Sequence, residues 1–198
     1  MLSSFHGTTT VGIVVNDGVV LAADKRVSSG YYVAHKVAKK IIRMDDRAAL
    51  TISGLVADAQ ILGDYLRVEI LSRKITLGYS PTLKSLASLI SLILNSSKYY
   101  PYIVQLLLGG YDTEPRLYSI ELFGGVVEED YSATGSGSPV AIGIIEGNYR
   151  RDMSLDEAIN LAVKAVSASI ARDVFTGEAV DVVAITKDSY REYSFKLR

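Results

Sequence analysis

Cysteine and tryptophan are both missing from the 198 residues of this chain, proline occurs four times, and the only histidines are His6 and His35. Without cysteine there is no disulfide, no thiolate nucleophile and no thiolate-bound metal. Two histidines leave a Ser-His-Asp triad or a histidine-rich metal centre almost no candidates. Catalysis, if there is any, must rest on Thr, Ser, Lys, Asp, Glu or Tyr. The formal net charge of −1 provides no basic field for phosphate backbones, which argues against nucleic acid as a partner. No apolar run reaches the roughly 18 residues that mark a membrane-spanning helix. Residues 1–7 carry no Lys or Arg and no apolar core of a secretory signal, so the sequence predicts a cytoplasmic protein. Internal repeats and low-complexity tracts are also missing.

The composition that remains, 48% hydrophobic and 22% charged, suits one domain with a sizeable core. Val11–Val15 and Val19–Ala23 are short, nearly continuous apolar runs around Asn16-Asp17-Gly18. They predict a hairpin whose strands are covered on both faces, with Asp-Gly in a turn that wants positive φ. A strict two-residue loop pairs Val11 with Asp24 and sets Thr8 on the opposite face; a bulge reverses that. Ser28–Tyr32 reads as a loop. Ile41–Met44 and Ala48–Ile52 read as a second strand pair.

Beyond Ser53-Gly54, Leu55, Ala59, Leu62, Leu66 and Ile70 recur at helical spacing, and Gly78–Pro81 ends that helix. A second helix is expected from about Pro81 to Lys98. Strands follow at Tyr102–Leu108, Arg116–Leu122 and Val126–Tyr131, and then a Gly/Ser loop at Thr134–Pro139. Ala141–Tyr149 reads as helical. Ser154-Leu155-Asp156-Glu157 is a capping box that opens a further helix ending near Arg172-Asp173. Val180–Thr186 and Tyr190–Phe195 close the chain as a hairpin. Strand pairs separated by helix pairs predict antiparallel sheets with helices outside.

Gly7-Thr8-Thr9-Thr10-Val11-Gly12 has two readings. One is the start of a strand. The other is a cut at Gly7–Thr8, which would leave Thr8 with a free α-amine beside its own hydroxyl, a self-contained nucleophile and base. Gly135-Ser136-Gly137-Ser138 could cradle an oxyanion with its N–H groups, or be a plain turn. It has neither the Lys-Ser/Thr of a Walker loop nor dinucleotide-loop spacing. Lys40 directly precedes an apolar strand and Asp24 ends one, so either is a surface charge or part of a buried pair. Asp173 with Thr176-Gly177 reads locally as helix termination.

Taken together, several separated stretches resemble the proteasome β subunits of archaeal type, which are N-terminal-nucleophile hydrolases. They are GTTTVG at Gly7–Gly12, Asp24, HKVAKK at His35–Lys40, ISGLVADAQ at Ile52–Gln60, KYYPYIVQLLLGGYD at Lys98–Asp112, ATGSGSP at Ala133–Pro139 and ARD at Ala171–Asp173. The resemblance implies an α+β fold, a four-layer αββα sandwich of two antiparallel sheets between helix pairs. It implies a propeptide, residues 1–7, cut autocatalytically between Gly7 and Thr8, ahead of a single peptidase domain over residues 8–198.

In that likeness Thr8 is the nucleophile and its freed amine the general base. Lys40 lies beside the hydroxyl, oriented by Asp24. The Gly54 N–H forms the oxyanion hole, and Ser136 and Asp173 orient the amine and a water. Thr176 stands where the family usually has serine, with a hydroxyl retained. Val27, Ala38, Ile52 and Val56 would line the specificity pocket and favour hydrophobic residues before the cut, with no cofactor. The implied partners are β subunits in two stacked seven-membered rings, α-subunit rings, an unfoldase ATPase and unfolded polypeptide. A non-catalytic ring subunit is the alternative reading. The shorter bacterial relative with a six-fold ring fits less well, given the GTTTVG start, the long helix pairs and the chain length.

Overall fold

A computed structural model describes residues 7–30 and 32–196. Up to Gly54 the described chain is strand and loop: β1 (Thr10–Val15), β2 (Gly18–Asp24), β3 (Val27–Ser29), β4 (Tyr32–His35), β5 (Ile41–Asp45) and β6 (Ala48–Gly54). There follow α1 (Val56–Leu77), α2 (Leu83–Ser96), β7 (Val104–Tyr111), β8 (Pro115–Ile120), β9 (Val126–Glu128) and β10 (Tyr131–Thr134). The rest is α3 (Ser138–Glu146), α4 (Leu155–Ile170), β11 (Ala179–Thr186) and β12 (Tyr190–Lys196). One sheet runs β10-β1-β2-β11-β12 and the other β5-β6-β7-β8-β9, with β3-β4 a small ribbon. All strand pairings are antiparallel.

The layers follow from the period-2 alternation of strand side chains. In β1, Val11, Ile13 and Val15 pack outward under α3 and α4, with Ala158, Ala162 and Val166 of α4 against them. In β6, Leu50 and Ile52 pack outward under α1 and α2, against Leu62, Leu66, Ile90 and Leu94. The intervening residues meet between the sheets, where Val14, Val19, Leu21, Ala49, Leu107 and Leu117 form a third cluster. The result is the expected α+β arrangement, a four-layer αββα sandwich. Because β1 and β2 are buried on both faces, they read as unbroken apolar runs. Each fully buried Leu or Ile contributes about 1.5–3 kcal/mol.

Local details differ from the sequence-based expectations. The β1–β2 turn is Asn16-Asp17, with Val15 opposite Gly18, and neither turn residue nor Gly18 has positive φ. The register is therefore two residues away from a Val11–Asp24 pairing: Val11 lies opposite Ala22. The expected loop at residues 28–32 is interrupted by the β3–β4 ribbon; Tyr31 lies outside the described residues. The expected strand Val126–Tyr131 is two strands, one in each sheet, because the chain crosses between sheets at Glu129-Asp130. There the Glu129 N–H donates to the Leu117 carbonyl at 3.0 Å, and the Val14 N–H donates to the Asp130 carbonyl at 2.8 Å.

The helix expected from Ala141 starts earlier, at Ser138, with Pro139 in its first turn. The N-cap of α2 is Thr82, not Pro81, and its hydroxyl accepts from Ser85 N at 3.2 Å. The capping box at Ser154 and Glu157 forms in both directions. α4 ends at Ile170 with right-handed Ala171 as its cap, so Gly177 is not a helix terminator.

Candidate active site

Asp24, at the end of β2, is 1% exposed and lies between two segments that the sequence keeps far apart. Its Oδ1 accepts from Lys40 Nζ at 2.7 Å and from the Thr9 N–H at 3.0 Å. Its Oδ2 accepts from the Arg26 N–H at 3.0 Å and the Gly177 N–H at 2.9 Å. Four donors on one buried carboxylate satisfy the charge that burial would otherwise penalise. Lys40 is also buried, at 8% exposure. Burial lowers its pKa below the ordinary lysine value; Asp24 and Asp173 oppose that shift, and Arg26 adds to it.

The donor from this segment to Asp24 is the Thr9 backbone N–H, not a group of Thr8. Thr8 is 4% exposed and held from another side. Its N–H donates to Ser136 Oγ at 3.3 Å, and Ser136 Oγ donates to Asp173 Oδ2 at 2.6 Å. The Thr176 hydroxyl donates to the same carboxylate oxygen and shares a 2.8 Å hydrogen bond with Thr9 Oγ1. Threonine at 176 thus keeps a hydroxyl in this chain of bonds. The Thr8 hydroxyl donates to the Gly7 carbonyl at 2.7 Å, so it lies against the Gly7–Thr8 peptide bond. Residues 1–6 of the expected propeptide lie outside the described residues.

The Gly/Ser loop lies directly on this backbone. Gly135 has φ +91, and a Cβ on it would fall 2.0 Å from the Thr8 carbonyl oxygen. A glycine is needed there for close approach to Thr8, so the loop is not a free turn. Gly54 ends β6 at φ +122, where a Cβ would fall 2.1 Å from the Ile103 carbonyl. Only glycine lets the strand break there and turn into α1.

A cleft of about 80 Å³ opens beside Thr8, with Gly7, Gly54 and Lys40 at its rim. Val27, Ala38, Ile52 and Val56 all line it. Sequence reasoning missed Arg26, Lys39, Ile42, Ala59 and Gln60, which line it as well. Ala59 and Gln60 lie one helical turn after Val56, so helical spacing could have found them. Nothing in the sequence marks Thr9 or Arg26.

Behind Thr8 the two sheets are joined by hydroxyls. Thr10 Oγ1 and Thr134 Oγ1 share a bond of 2.7 Å, and Thr51 Oγ1 donates to Thr10 Oγ1 at 3.0 Å. Ser53 Oγ lies 3.0 Å from Thr134 Oγ1 and 3.2 Å from the Gln105 carbonyl, and can donate to either. The network joins β1, β6 and β10, the three strands that deliver Thr8, Gly54 and Ser136.

The profile of the family described as "Proteasome subunit" matches residues 4–185. The "Proteasome subunit beta 2" of Hyperthermus butylicus is 57% identical over 197 residues, covering 100% of this chain and 93% of that one. That of Staphylothermus marinus is 58% identical over 187 residues, 93% of this chain and 90% of the relative. The "Proteasome subunit beta" of Ferroglobus placidus is 49% identical over 190 residues, 95% and 90% of the two chains. With its two-sheet sandwich, its threonine-headed first strand and this extent of similarity, the chain belongs to the proteasome subunit family, among the β subunits of archaeal type.

Proposed function

We propose that this chain is a catalytic β subunit, a threonine endopeptidase whose nucleophile is the Thr8 hydroxyl after residues 1–7 are removed. The observation that carries the reading is the buried Asp24–Lys40 pair beside the Thr8–Thr9 segment, with Lys40 and Thr8 lining one apolar cleft. A buried ion pair adds little stability compared with well-packed apolar residues. A subunit that only built a ring would have no use for one beside a hydroxyl, which favours the enzyme over the scaffold reading.

In the uncut chain, Thr8 Oγ1 attacks the Gly7 carbonyl carbon. An ester forms as the Gly7–Thr8 amide bond breaks, and water then releases residues 1–7. The freed amine keeps the position of the present Thr8 N–H, next to Ser136 Oγ, itself fixed by Asp173. An α-amine titrates at about 7.7–8.0 when unperturbed, a suitable base near neutral pH. It takes the hydroxyl proton, and the charged Lys40 favours the alkoxide. Gly54 N–H stabilises the oxyanion, a contribution typically of about 3–4 kcal/mol. The alkoxide attacks the substrate carbonyl, the protonated α-amine returns its proton to the departing amine as the peptide bond breaks, and water hydrolyses the acyl-enzyme ester that remains. The walls formed by Val27, Ala38, Ile52 and Val56, with Ile42 and Ala59 beside them, select hydrophobic side chains before the cut.

Assembly with other proteasome subunits follows from the family. Two stacked seven-membered β rings, α rings, an unfoldase ATPase and a cytoplasmic location complete the proposal. Ile61, Tyr65, Val68 and Ile75 form an exposed apolar strip on α1, at 60%, 53%, 68% and 76% exposure. A strip of this kind supports burial against a partner. The test is Thr8→Ala in the assembled particle: fluorogenic peptide hydrolysis is lost, and intact mass shows that residues 1–7 persist. Normal turnover by that variant would sink the reading.

A further inference from the structure

We propose that Arg26 and Glu178 form a positioning clamp that fixes the segment between α4 and β11 against the end of β2, and so sets Asp173, Thr176 and Phe175 on the Thr8 site. The proposal rests on the catalytic reading of Thr8. Residues 171–178 belong to neither helix nor strand, so their position must come from contacts outside themselves. The Arg26 guanidinium supplies contacts on both sides of Phe175-Thr176-Gly177. Nη1 donates to the Val174 carbonyl at 2.9 Å, while Nε and Nη2 donate to Glu178 Oε1 at 3.3 and 3.1 Å. The planar fork of arginine suits such multiple donation, and a lysine could not reproduce it.

Three further features point to the same device. A Cβ at Gly177 would fall 2.3 Å from the guanidinium, so the clamp needs glycine there. The end of β2 reinforces it: Lys25 N–H donates to the Gly177 carbonyl at 3.2 Å, and Gly177 N–H donates to Asp24 Oδ2 at 2.9 Å. Glu178 has φ 79, the one non-glycine residue with positive φ among the described residues. A left-handed glutamate persists only where its surroundings fix it, and the contact that fixes it here is Arg26.

What the clamp holds is the far half of the site. Asp173 accepts from Ser136 at 2.6 Å, and Thr176 reaches both Asp173 and Thr9. Phe175 presses on the cleavage-site glycine: a Cβ at Gly7 would fall 1.7 Å from the Phe175 Cβ. Arg26 and Glu178 are each 24% exposed. A pair so exposed contributes little to stability. Its effect is on geometry, to which catalysis is far more sensitive.

The test uses the assembled particle carrying Glu178→Gln, Glu178→Asn, Arg26→Met and the double variant Arg26→Met/Glu178→Gln. Arg26 lines the cleft and Glu178 does not, so the Glu178 variants report position apart from substrate contact. Both should lower kcat on a hydrophobic fluorogenic peptide by about tenfold to a hundredfold. KM should change by less than about twofold. Removal of residues 1–7 should slow in step, and amide exchange at Gly177 should quicken by about tenfold or more as its bond to Asp24 loosens.

Asparagine tolerates the left-handed conformation better than glutamate, so Glu178→Asn should keep its Tm while losing kcat, which a purely structural role would not produce. The double variant should be no worse than Arg26→Met alone, since both changes break one contact. Wild-type kcat in both Glu178 variants, additive losses in the double, or unchanged Gly177 exchange would each overturn the clamp. A wild-type particle without peptidase activity would instead overturn the catalytic reading, and exchange alone would then decide whether the clamp exists.

Discussion

The layer between the two sheets has two unlike ends. At one end Val14, Val19, Leu21 and Leu117 pack against each other. At the other, Thr10, Thr51, Ser53 and Thr134 hydrogen-bond across the gap, and Thr8 lies just beyond. The apolar contacts hold the sheets together but are non-directional. Hydrogen bonds have preferred distances and angles, and a buried hydroxyl left unpaired is costly. The sandwich is therefore glued at one end and aligned at the other. The aligned end is where strands from both sheets must deliver Thr8, Gly54 and Ser136 in fixed relation.

The sharpest way to separate the two ends starts at the rim of the site. Lys40→Ala leaves Asp24 buried without its cation and should remove nearly all turnover, with Lys40→Arg giving no rescue because a planar guanidinium differs in shape. The same residue sets a pH limb. In the proposed mechanism charged Lys40 is the active form, and burial lowers its pKa from the ordinary lysine value of 10.5. Activity should therefore fall as pH rises through a value below 10.5, and kcat/KM profiles on a peptide substrate would show the limb.

Next, Leu117→Ala at the apolar end should cost about 2–5 kcal/mol, with the Tm lowered by roughly 4–20 °C at fixed protein concentration. The kcat of the folded particle should stay near wild type. Thr134→Val at the hydroxyl end should cost less stability, about 1–3 kcal/mol, yet lower kcat, and Thr134→Ser should recover both. Equal kcat in the Leu117 and Thr134 variants would erase the distinction between glue and alignment. The smallest effect is expected far from either end. Thr82→Ala removes the N-cap of α2 and should cost about 1 kcal/mol, visible in thermal melts and silent in turnover.

These contrasts also divide what could be read in advance from what could not. The strand runs of β1, β2, β6 and β7 and the stripes of α1, α2 and α4 were readable, because burial on a strand or helix repeats with the local period. The capping box at Ser154 was readable because its partner lies three residues away. The errors fall where a distant contact overrides local preference. The β1–β2 turn moved to Asn16-Asp17, and one predicted strand was divided between two sheets. Gly177 looked like a helix stop, although it makes room for the Arg26 side chain. The cleft residues Val27, Ala38, Ile52 and Val56 were named from resemblance. Ile42 and Arg26 were not, since neither spacing nor composition distinguishes them.

By itself the sequence determined the menu of chemistry. Lacking cysteine and nearly all histidine, it left hydroxyls, lysine and carboxylates to do any work, and its continuous apolar runs marked the strands that are buried on both faces. Only the tertiary structure decided which of these groups meet. It set the Thr9 backbone N–H against Asp24, and brought Ser136 to Asp173 across 37 residues and Arg26 to Glu178 across 152. Such pairings depend on how two sheets close and where a loop crosses between them. Contacts so far apart along the chain are set by the packing of the whole, and no local window of sequence contains both partners.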